Sequence, residues 1–517
     1  MCTKRLPFWH IGLTASLLAS CATQFPPISA YEKPPSHTIT ENRTNSSIQR
    51  VVDPLLAAHP NESGVYPLIN GVDAFAARLA LIRAASTSID LQYYIYRGDE
   101  TGQLLTWSLM QAAERGVRVR ILLDDMNTGG KDSALALLSE HPNVEVRLFN
   151  PFINRILRGW EFLGNFARAN RRMHNKSLTV DGLSTIVGGR NIGDEYFSAN
   201  QAIDFGDFDL LAIGPVVQEI STQFDLYWNS EPAIPVAALI PSSKSSWSDV
   251  KPQIHSVIQR YQHSEYFQEL KRANILAELS DQNATIYWGM AYALYDPPSK
   301  ANPQVHTEAQ KSGSLPDRYM LPQLIKLFDN AKHQLVLISP YFVPGRAGVE
   351  LLTQYREQGV AIDVITNSLA ATDVVAVHGG YQKYRKELLL AGIEIREVRV
   401  DANAKPGSWK GSSKASLHAK TFYLDNKTLF VGSFNLDPRS AALNTELGIV
   451  VDSEELVHWL KTNFNHQLAK TTYRVELEGG ELRWIGEEGV YRHEPQVSIW
   501  RRIGAALLAL LPIEQQL

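Results

Sequence analysis

One eight-residue pattern occurs twice in this chain, and it sets the terms for everything else. It reads His174-Asn175-Lys176-Ser177-Leu178-Thr179-Val180-Asp181, then His418-Ala419-Lys420-Thr421-Phe422-Tyr423-Leu424-Asp425. Each copy is His-x-Lys with Asp seven residues after the His. A glycine-rich turn follows each, Gly188-Gly189-Arg190-Asn191 and Gly432-Ser433-Phe434-Asn435, and both asparagines fall seventeen residues after their histidine. A lone His-x-Lys often marks only a polar strand face; two copies with matched Asp, Gly and Asn offsets are hard to ascribe to chance. Leu178 and Val180 place the first copy on a short strand, where residues two apart share a face. His174 and Lys176 are therefore expected to point the same way, as are His418 and Lys420. Two imidazoles, two ammonium groups and two amides on one duplicated scaffold suit attack on a phosphodiester.

The repetition runs beyond the motif, so the architecture is expected to be duplicated. Ser88–Ile95 has a counterpart in Leu335–Phe342, and Ala113–Leu122 matches Arg356–Ile365. Gly116 and Gly359 hold the same register as the two histidines to within a residue, and both look like helix stops before short apolar strands. Each half reads helix, strand, helix, strand, a long connection, then the His-x-Lys strand. Such alternation predicts an α/β fold with a largely buried sheet in each half. Near the end of each half, Phe208–Gly214 and Glu446–Asp452 read as matching strands, with Asp207 opposite Glu446. A carboxylate near each histidine would hold its tautomer and support an imidazolium; a solvated strand-end charge is the alternative for both.

These residues resemble the phospholipase D superfamily, whose signature is the paired His-Lys-Asp motif. Leu91–Ile95, Leu122–Thr128, Arg171–Lys176, Val187–Asp194, Pro340–Pro344, Thr366–Ala370 and Gly432–Ser440 make the chain similar, more narrowly, to bacterial cardiolipin synthases of the type-C group. The resemblance implies two pseudo-symmetric phospholipase D-like domains, each a mixed β-sheet flanked by helices, with one active site at their interface. It implies a covalent phosphohistidine with no metal and no cofactor: His174 as nucleophile, His418 as acid and base. Lys176, Lys420, Asn191 and Asn435 would surround the non-bridging oxygens. Asp181 and Asp425 complete the catalytic motifs but are expected to brace them; Asp207, Glu446 and Ser433 would support. One departure is Gly189, where the second copy has Ser433, so only the second turn offers a hydroxyl.

The N-terminus reads as a processing segment. Lys4 and Arg5 precede a short apolar stretch ending in Leu18-Ala19-Ser20-Cys21, which resembles a bacterial lipoprotein signal with lipidation at Cys21. The stretch is too short to span a bilayer. The chain has two cysteines, Cys2 and Cys21; removal of one and lipidation of the other leave neither a disulfide nor a cysteine metal site. The expected organisation is residues 1–20 signal peptide, 21–65 lipidated tether, 66–240 first domain, 241–315 insert and interdomain connection, 316–475 second domain, and 476–517 C-terminal tail. Anchorage facing the periplasm follows. Ala22 after the cysteine argues, by resemblance, against inner-membrane retention, which pulls against substrates made at the inner membrane.

Three further segments carry alternatives. The tail, with Trp500-Arg501-Arg502-Ile503 and an apolar run from Ala505 to Leu511, reads as an interfacial helix or as one packed on its own domain. Phe152–Arg172 mixes apolar groups with Arg155, Arg158, Arg168, Arg171 and Arg172; it reads as a lipid guide with anionic-headgroup contacts or as a connection covering core. Asp124-Asp125 reads better as a cap or loop charge than as a metal site. Three functions compete: a phosphatidyltransferase making cardiolipin from phosphatidylglycerol and a donor such as phosphatidylethanolamine, a phospholipase D or phosphodiesterase, and a vestigial lipid-binding lipoprotein. Complete motifs speak against the last. A net charge of −4 gives no strong basic footprint for nucleic acid.

Overall fold

The computed structural model describes residues 33–39, 46–199, 205–273, 285–305, 315–400, 416–511 and 513–517. Its organising feature is one strand order used twice. In the first half the order is Ala233–Pro235, Val144–Phe149, Arg118–Asp124, Ser88–Tyr93, Ser177–Val180, Ser184–Gly188, Asp209–Ile213, Ser63–Leu68. In the second it is Thr472–Glu478, Glu394–Val398, Ala361–Asn367, Gln334–Ile338, Thr421–Leu424, Thr428–Gly432, Leu447–Asp452, Tyr287–Tyr295. In each half the second, third and fourth strands of this order run parallel to one another, and the remaining pairings are antiparallel. Both sheets are thus mixed, with the motif strand near the centre of each. Apolar runs such as Leu335–Ile338 bury on both faces because helices cover the parallel part.

Local sequence signals explain the helix limits. Helix Gly71–Ala84 starts at Asn70, whose side chain accepts from the Val72 and Asp73 amides. Helices Glu100–Glu114 and Gly345–Glu357 are followed closely by Gly116 and Gly359, each at φ 93°. That left-handed conformation is open to glycine at no steric cost, so both expected stops are present.

The halves share structure. Strand Tyr287–Tyr295 pairs through its first three residues with Ser63–Val65 and through the rest with Leu447–Asp452. One apolar cluster joins Val65, Val187, Leu210 and Ile220 of the first half to Val336, Val431, Ile449 and Leu456 of the second. The motif strands therefore meet across a rigid seam.

Three boundaries differ from the sequence reading. Within 21–65, residues 33–39 lie against the first half: Arg147 donates to Pro34 O and Arg120 to Ser36 O. Helix Ser47–Ala58 buries Ile48 and Val52, so the first half begins before residue 66. Within 241–315, helices Trp247–Tyr261 and Glu265–Arg272 pack Trp247, Ile258 and Leu270 into the first core, and Tyr287–Tyr295 belongs to the second sheet. That strand's counterpart in the first half is Ser63–Leu68, a match that the sequence repeat does not show. Residue 476 lies inside strand Thr472–Glu478, which continues into Glu481–Gly486 and Gly489–Tyr491. Helix Ile499–Ala509 docks on helix Val375–Gln382, where Gly379 lets it approach, and Arg501 donates to Leu369 O and Thr372 O. Cys21 and the signal segment lie outside the described residues.

Candidate active site

Each motif enters its strand by a backbone bond to the other half. The His174 amide donates to Thr445 O at 2.8 Å, and the Thr445 amide to Arg172 O at 2.9 Å. Correspondingly, the His418 amide donates to Gly206 O at 2.7 Å, beside the short parallel pairing of Ser416–Leu417 with Phe205–Gly206. The residue after each acceptor is a carboxylate. Glu446 Oε2 lies 2.9 Å from His174 Nδ1, and Asp207 Oδ2 lies 2.6 Å from His418 Nδ1. The partners are crossed: each imidazole is oriented by the opposite half. Nothing in the spacing of the motifs reveals that crossing, since it depends on how the two sheets face one another. With Nδ1 bonded, Nε2 of each ring is the nitrogen left for chemistry.

The histidines and lysines sit at the entry of their strands rather than inside them, because the ladders begin at Ser177 and Thr421. Lys176 Nζ donates to His174 O at 2.6 Å, and Lys420 Nζ donates to His418 O. Lys420 Nζ is also 2.9 Å from His418 Nδ1; that nitrogen's proton goes to Asp207, so the lysine is held by the carbonyl. Asn191 Oδ1 accepts from the Ile95 amide at 3.1 Å. Asn435 is buried, and its Oδ1 has no partner among the described residues.

Asp181 and Asp425 do another job. Asp181 accepts from the Ser86, Thr87 and Ser88 amides and from the Ser46 and Thr87 hydroxyls. Asp425 accepts from the Lys332, His333 and Gln334 amides. Each carboxylate ties the end of its motif strand to the start of the neighbouring strand, so both brace the scaffold and neither is free to reach a substrate.

The Gly189 departure has a steric cause. A Cβ there would lie 2.2 Å from Asp207 Oδ1. At the matching position Ser433 donates its hydroxyl to Glu446 Oε2 at 2.5 Å, and Ser440 donates to Oε1 at 2.8 Å.

Burial dominates the electrostatics. It pushes Glu446 up to about 7, against the pull of Lys176 and the two hydroxyls. For Asp207 burial is outweighed by His418, Lys420 and Arg190, which hold it at about 2. Burial, then Lys176 and Lys420, carries His174 well below its ordinary value. Burial and Lys420 also lower His418, with Asp207 opposing. Lys176 and Lys420 fall to about 7 and about 8, chiefly because they are desolvated. An anionic group entering the pocket would favour both ammonium forms.

Several neighbours escaped the sequence reading. Tyr94 sets its edge against His174 at 5.0 Å between centroids; Tyr196 does so at His418, 5.3 Å, where Phe205 also stacks. Tyr94 lay within the repeated segment Ser88–Ile95, but the strand registers match it to Pro340 and match Ile95 to Tyr341. Asp124 caps the turn at Met126, and its other oxygen holds the Met173 amide, one residue before His174. The arginines of Phe152–Arg172 are largely engaged inside the protein. Arg155 and Arg158 pair with Asp125 and Asp132, Arg168 with Glu161, and Arg172 is buried beside Asp124. For those four this favours the second alternative, a connection covering core, over contact with anionic headgroups.

Comparison with known proteins now fixes the family. The family described as "Cardiolipin synthase, PLD-like domain" matches residues 79–228 and 324–468, one match on each half. The chain belongs to this family. Cardiolipin synthase C of Escherichia coli (strain K12) is 40% identical over 470 residues, covering 89% of this chain and 98% of the relative. The major cardiolipin synthase ClsA of Bacillus subtilis (strain 168) is 26% identical, with 82% and 73% covered. The solved phosphatidylserine synthase of Haemophilus influenzae aligns with a TM-score of 0.55 at 13% identity, over 91% of this chain and 100% of that one. At that identity it supports the fold alone: a two-half phospholipase D-like body, as the repeat predicts.

Proposed function

We propose that this protein is a phosphatidyltransferase that makes cardiolipin, moving a phosphatidyl group from a donor phospholipid to phosphatidylglycerol through a phosphohistidine on His174. The observation that carries the reading is the crossed pair of buried imidazoles, each with Nδ1 on a carboxylate and Nε2 left for reaction. His174 is held neutral, so its Nε2 lone pair attacks phosphorus. The bond from phosphorus to the departing alcohol oxygen breaks, and His418 gives that oxygen a proton. The acceptor hydroxyl then yields its proton to His418 and attacks phosphorus, and the P–N bond breaks. Lys176, Lys420, Asn191 and Asn435 surround the non-bridging oxygens and stabilise the charge that builds up in each transition state.

The membrane is the partner that fits the surface. Trp160 is 65% exposed, Leu163 82%, Trp500 77% and Leu510 81%. The segments carrying them converge on Asn170, four residues before His174. Gln516 receives a hydrogen bond from Asn170, and Arg439 donates to Asn170 and to Gln516 O. Tail and connection thus touch one another through Gln516 and Asn170, and each carries apolar side chains exposed to solvent, as an interfacial contact requires. No described helix is long and apolar enough to cross a membrane, and attachment through a lipidated Cys21, facing the periplasm, is the anchor we infer. Phosphatidylglycerol is the expected acceptor, phosphatidylethanolamine a candidate donor, and nucleic acid a less fitting substrate for a chain of net charge −4.

Lipid mass analysis tests this. Purified protein in phosphatidylglycerol and phosphatidylethanolamine bilayers is compared with His174→Ala. New cardiolipin from the unmutated protein alone, with glycerol or ethanolamine released, supports the transferase and names its donor. Phosphatidic acid alone makes the protein a hydrolase instead.

A further inference from the structure

Behind Glu446 lies a buried ion pair from the segment in which the sequence shows no chemistry. Asp296 ends strand Tyr287–Tyr295, and Lys300 sits in the turn Pro298–Ala301; neither is exposed to solvent. Lys300 Nζ donates to Asp296 Oδ2 at 2.8 Å and to Ser440 O at 2.8 Å. Asp296 holds the backbone of Glu446 from both sides, its carboxylate accepting from the Glu446 amide at 3.0 Å and its own amide donating to Glu446 O at 3.0 Å. Its second oxygen accepts from the Met320 amide, and its carbonyl accepts from Tyr227, on a helix of the first half. The pair therefore grips Glu446 by the backbone and Ser440 by its carbonyl, while Ser440 grips the Glu446 carboxylate.

Asp207 has a different backing. Arg190 donates to Asp207 O, and Arg190 is paired with Asp209, which Arg78 also engages. No seryl hydroxyl reaches the Asp207 carboxylate among the described residues. A buried pair is costly to assemble and rarely adds stability over apolar packing. Two such pairs, each behind one active-site carboxylate, point to use rather than to cohesion.

We propose that Lys300 and Asp296 are positioning residues for the His174–Glu446 pair, fixing Glu446 and its seryl donor and setting the charge that His174 meets at Nδ1. The proposal rests on the transferase reading above. The groups facing Glu446 are His174 and Lys176 from the first motif, Lys420 from the second, and Asp437, Ser433 and Ser440 from the turn. Tyr227, Asp296 and Lys300 face it from behind. Of these, Lys300 is the cation that belongs to neither motif. Its charge favours ionised Glu446, and Asp296 opposes it by like-charge repulsion.

The two variants therefore move the system in opposite directions. Lys300→Met should shift the acid limb of the kcat profile toward alkaline pH, because Glu446 then holds its proton longer. Asp296→Asn should shift that limb toward acid. Each should lower kcat about tenfold or more with KM for lipid in vesicles little changed, and Lys300→Arg should restore most of the loss. The full chain is assayed in phosphatidylglycerol vesicles, with thermal unfolding measured beside it. Opposite shifts with arginine rescue support the proposal. A loss that only matches a smaller folded fraction, with the unmutated pH profile, overturns it, as would shifts of the same sign. If Asp296→Asn does not fold, the Lys300 pair decides alone. The unmutated protein is the control for the underlying reading: cardiolipin formed by it stands whatever these variants do.

Discussion

The two histidines occupy nearly equivalent places in a repeated backbone, yet their surroundings have diverged. His418 meets a short carboxylate held at about 2, whose other oxygen takes its neighbour's amide, Phe208 N. His174 meets a longer carboxylate raised to about 7, bonded by two serines and backed by Lys300. A permanently ionised partner stabilises an imidazolium, which suits the acid and base. A partner that ionises only near neutrality puts less charge behind an imidazole that stays neutral. In its ionised form it holds the proton on Nδ1 and leaves the Nε2 lone pair free, which suits a nucleophile. Symmetry of the chain thus supplies two rings at one seam, and asymmetry around the carboxylates fits them to the separate tasks proposed above.

The strongest test of that division removes each ring. His174→Ala and His418→Ala should both lower turnover by at least about 10⁴. They should differ in what accumulates. With a phosphatidyl substrate carrying an activated phenol, His418→Ala should still attack, release the phenolate and retain the phosphatidyl group on His174, visible as a mass increase on the peptide containing it. His174→Ala should show none. Label on the other histidine would reverse the assignment.

Next in size are the carboxylates. Glu446→Gln and Asp207→Asn should each cost about a hundred- to ten-thousandfold with natural lipid. An activated leaving group needs no proton, so it should rescue the first chemical step of Asp207→Asn and leave Glu446→Gln impaired. Equal rescue of both would mean that the two pairs are interchangeable.

How much of this was legible follows from what kind of constraint each feature obeys. The succession of helices and strands along each half, the glycine stops and the motif positions were readable because local periodicity and repetition encode them: Gly116 and Gly359 announce the same turn twice. The paired His, Lys and Asn positions were readable as a repeated set for the same reason, and their roles are those proposed above. The crossed pairing was not, because His174 and Glu446 meet only after two sheets dock. Strand Tyr287–Tyr295 was missed because its connection to helix Met320–Phe328 is much longer than the two-residue link between Ser63–Leu68 and helix Gly71–Ala84, which breaks the constant repeat spacing. Lys300 and Asp296 carry no motif at all; their meaning comes from burial. The Gly189 departure was visible as a difference, and only the 2.2 Å approach to Asp207 gives it a cause.

That departure yields the third comparison. Ser433→Ala removes one donor from Glu446 and should lower kcat about tenfold, moving the acid limb toward alkaline pH. Gly189→Ser should not create a matching donor. Its Cβ would collide with Asp207, displacing it from His418, so it should lose activity and about 1–3 kcal/mol of stability through overpacking. A Gly189→Ser protein as active and stable as the parent would show that the turn has room the geometry denies.

The smallest effects should come from the motif aspartates, and they should be unequal. Asp181 is fully buried and takes five donors, three amides and two hydroxyls, whereas Asp425 is partly exposed and takes three amides. Replacing either by Asn keeps the shape but turns one acceptor oxygen into an NH2 group facing N–H donors. At the buried site that conflict has no relief from water, and the expected loss is about 2–3 kcal/mol; at the half-open site it is about 1 kcal/mol or less. Denaturant unfolding measures the difference directly. Activity per folded molecule should change little in either variant, because neither carboxylate reaches the imidazoles. A large fall in kcat for Asp425→Asn with unaltered stability would place that aspartate back in the chemistry.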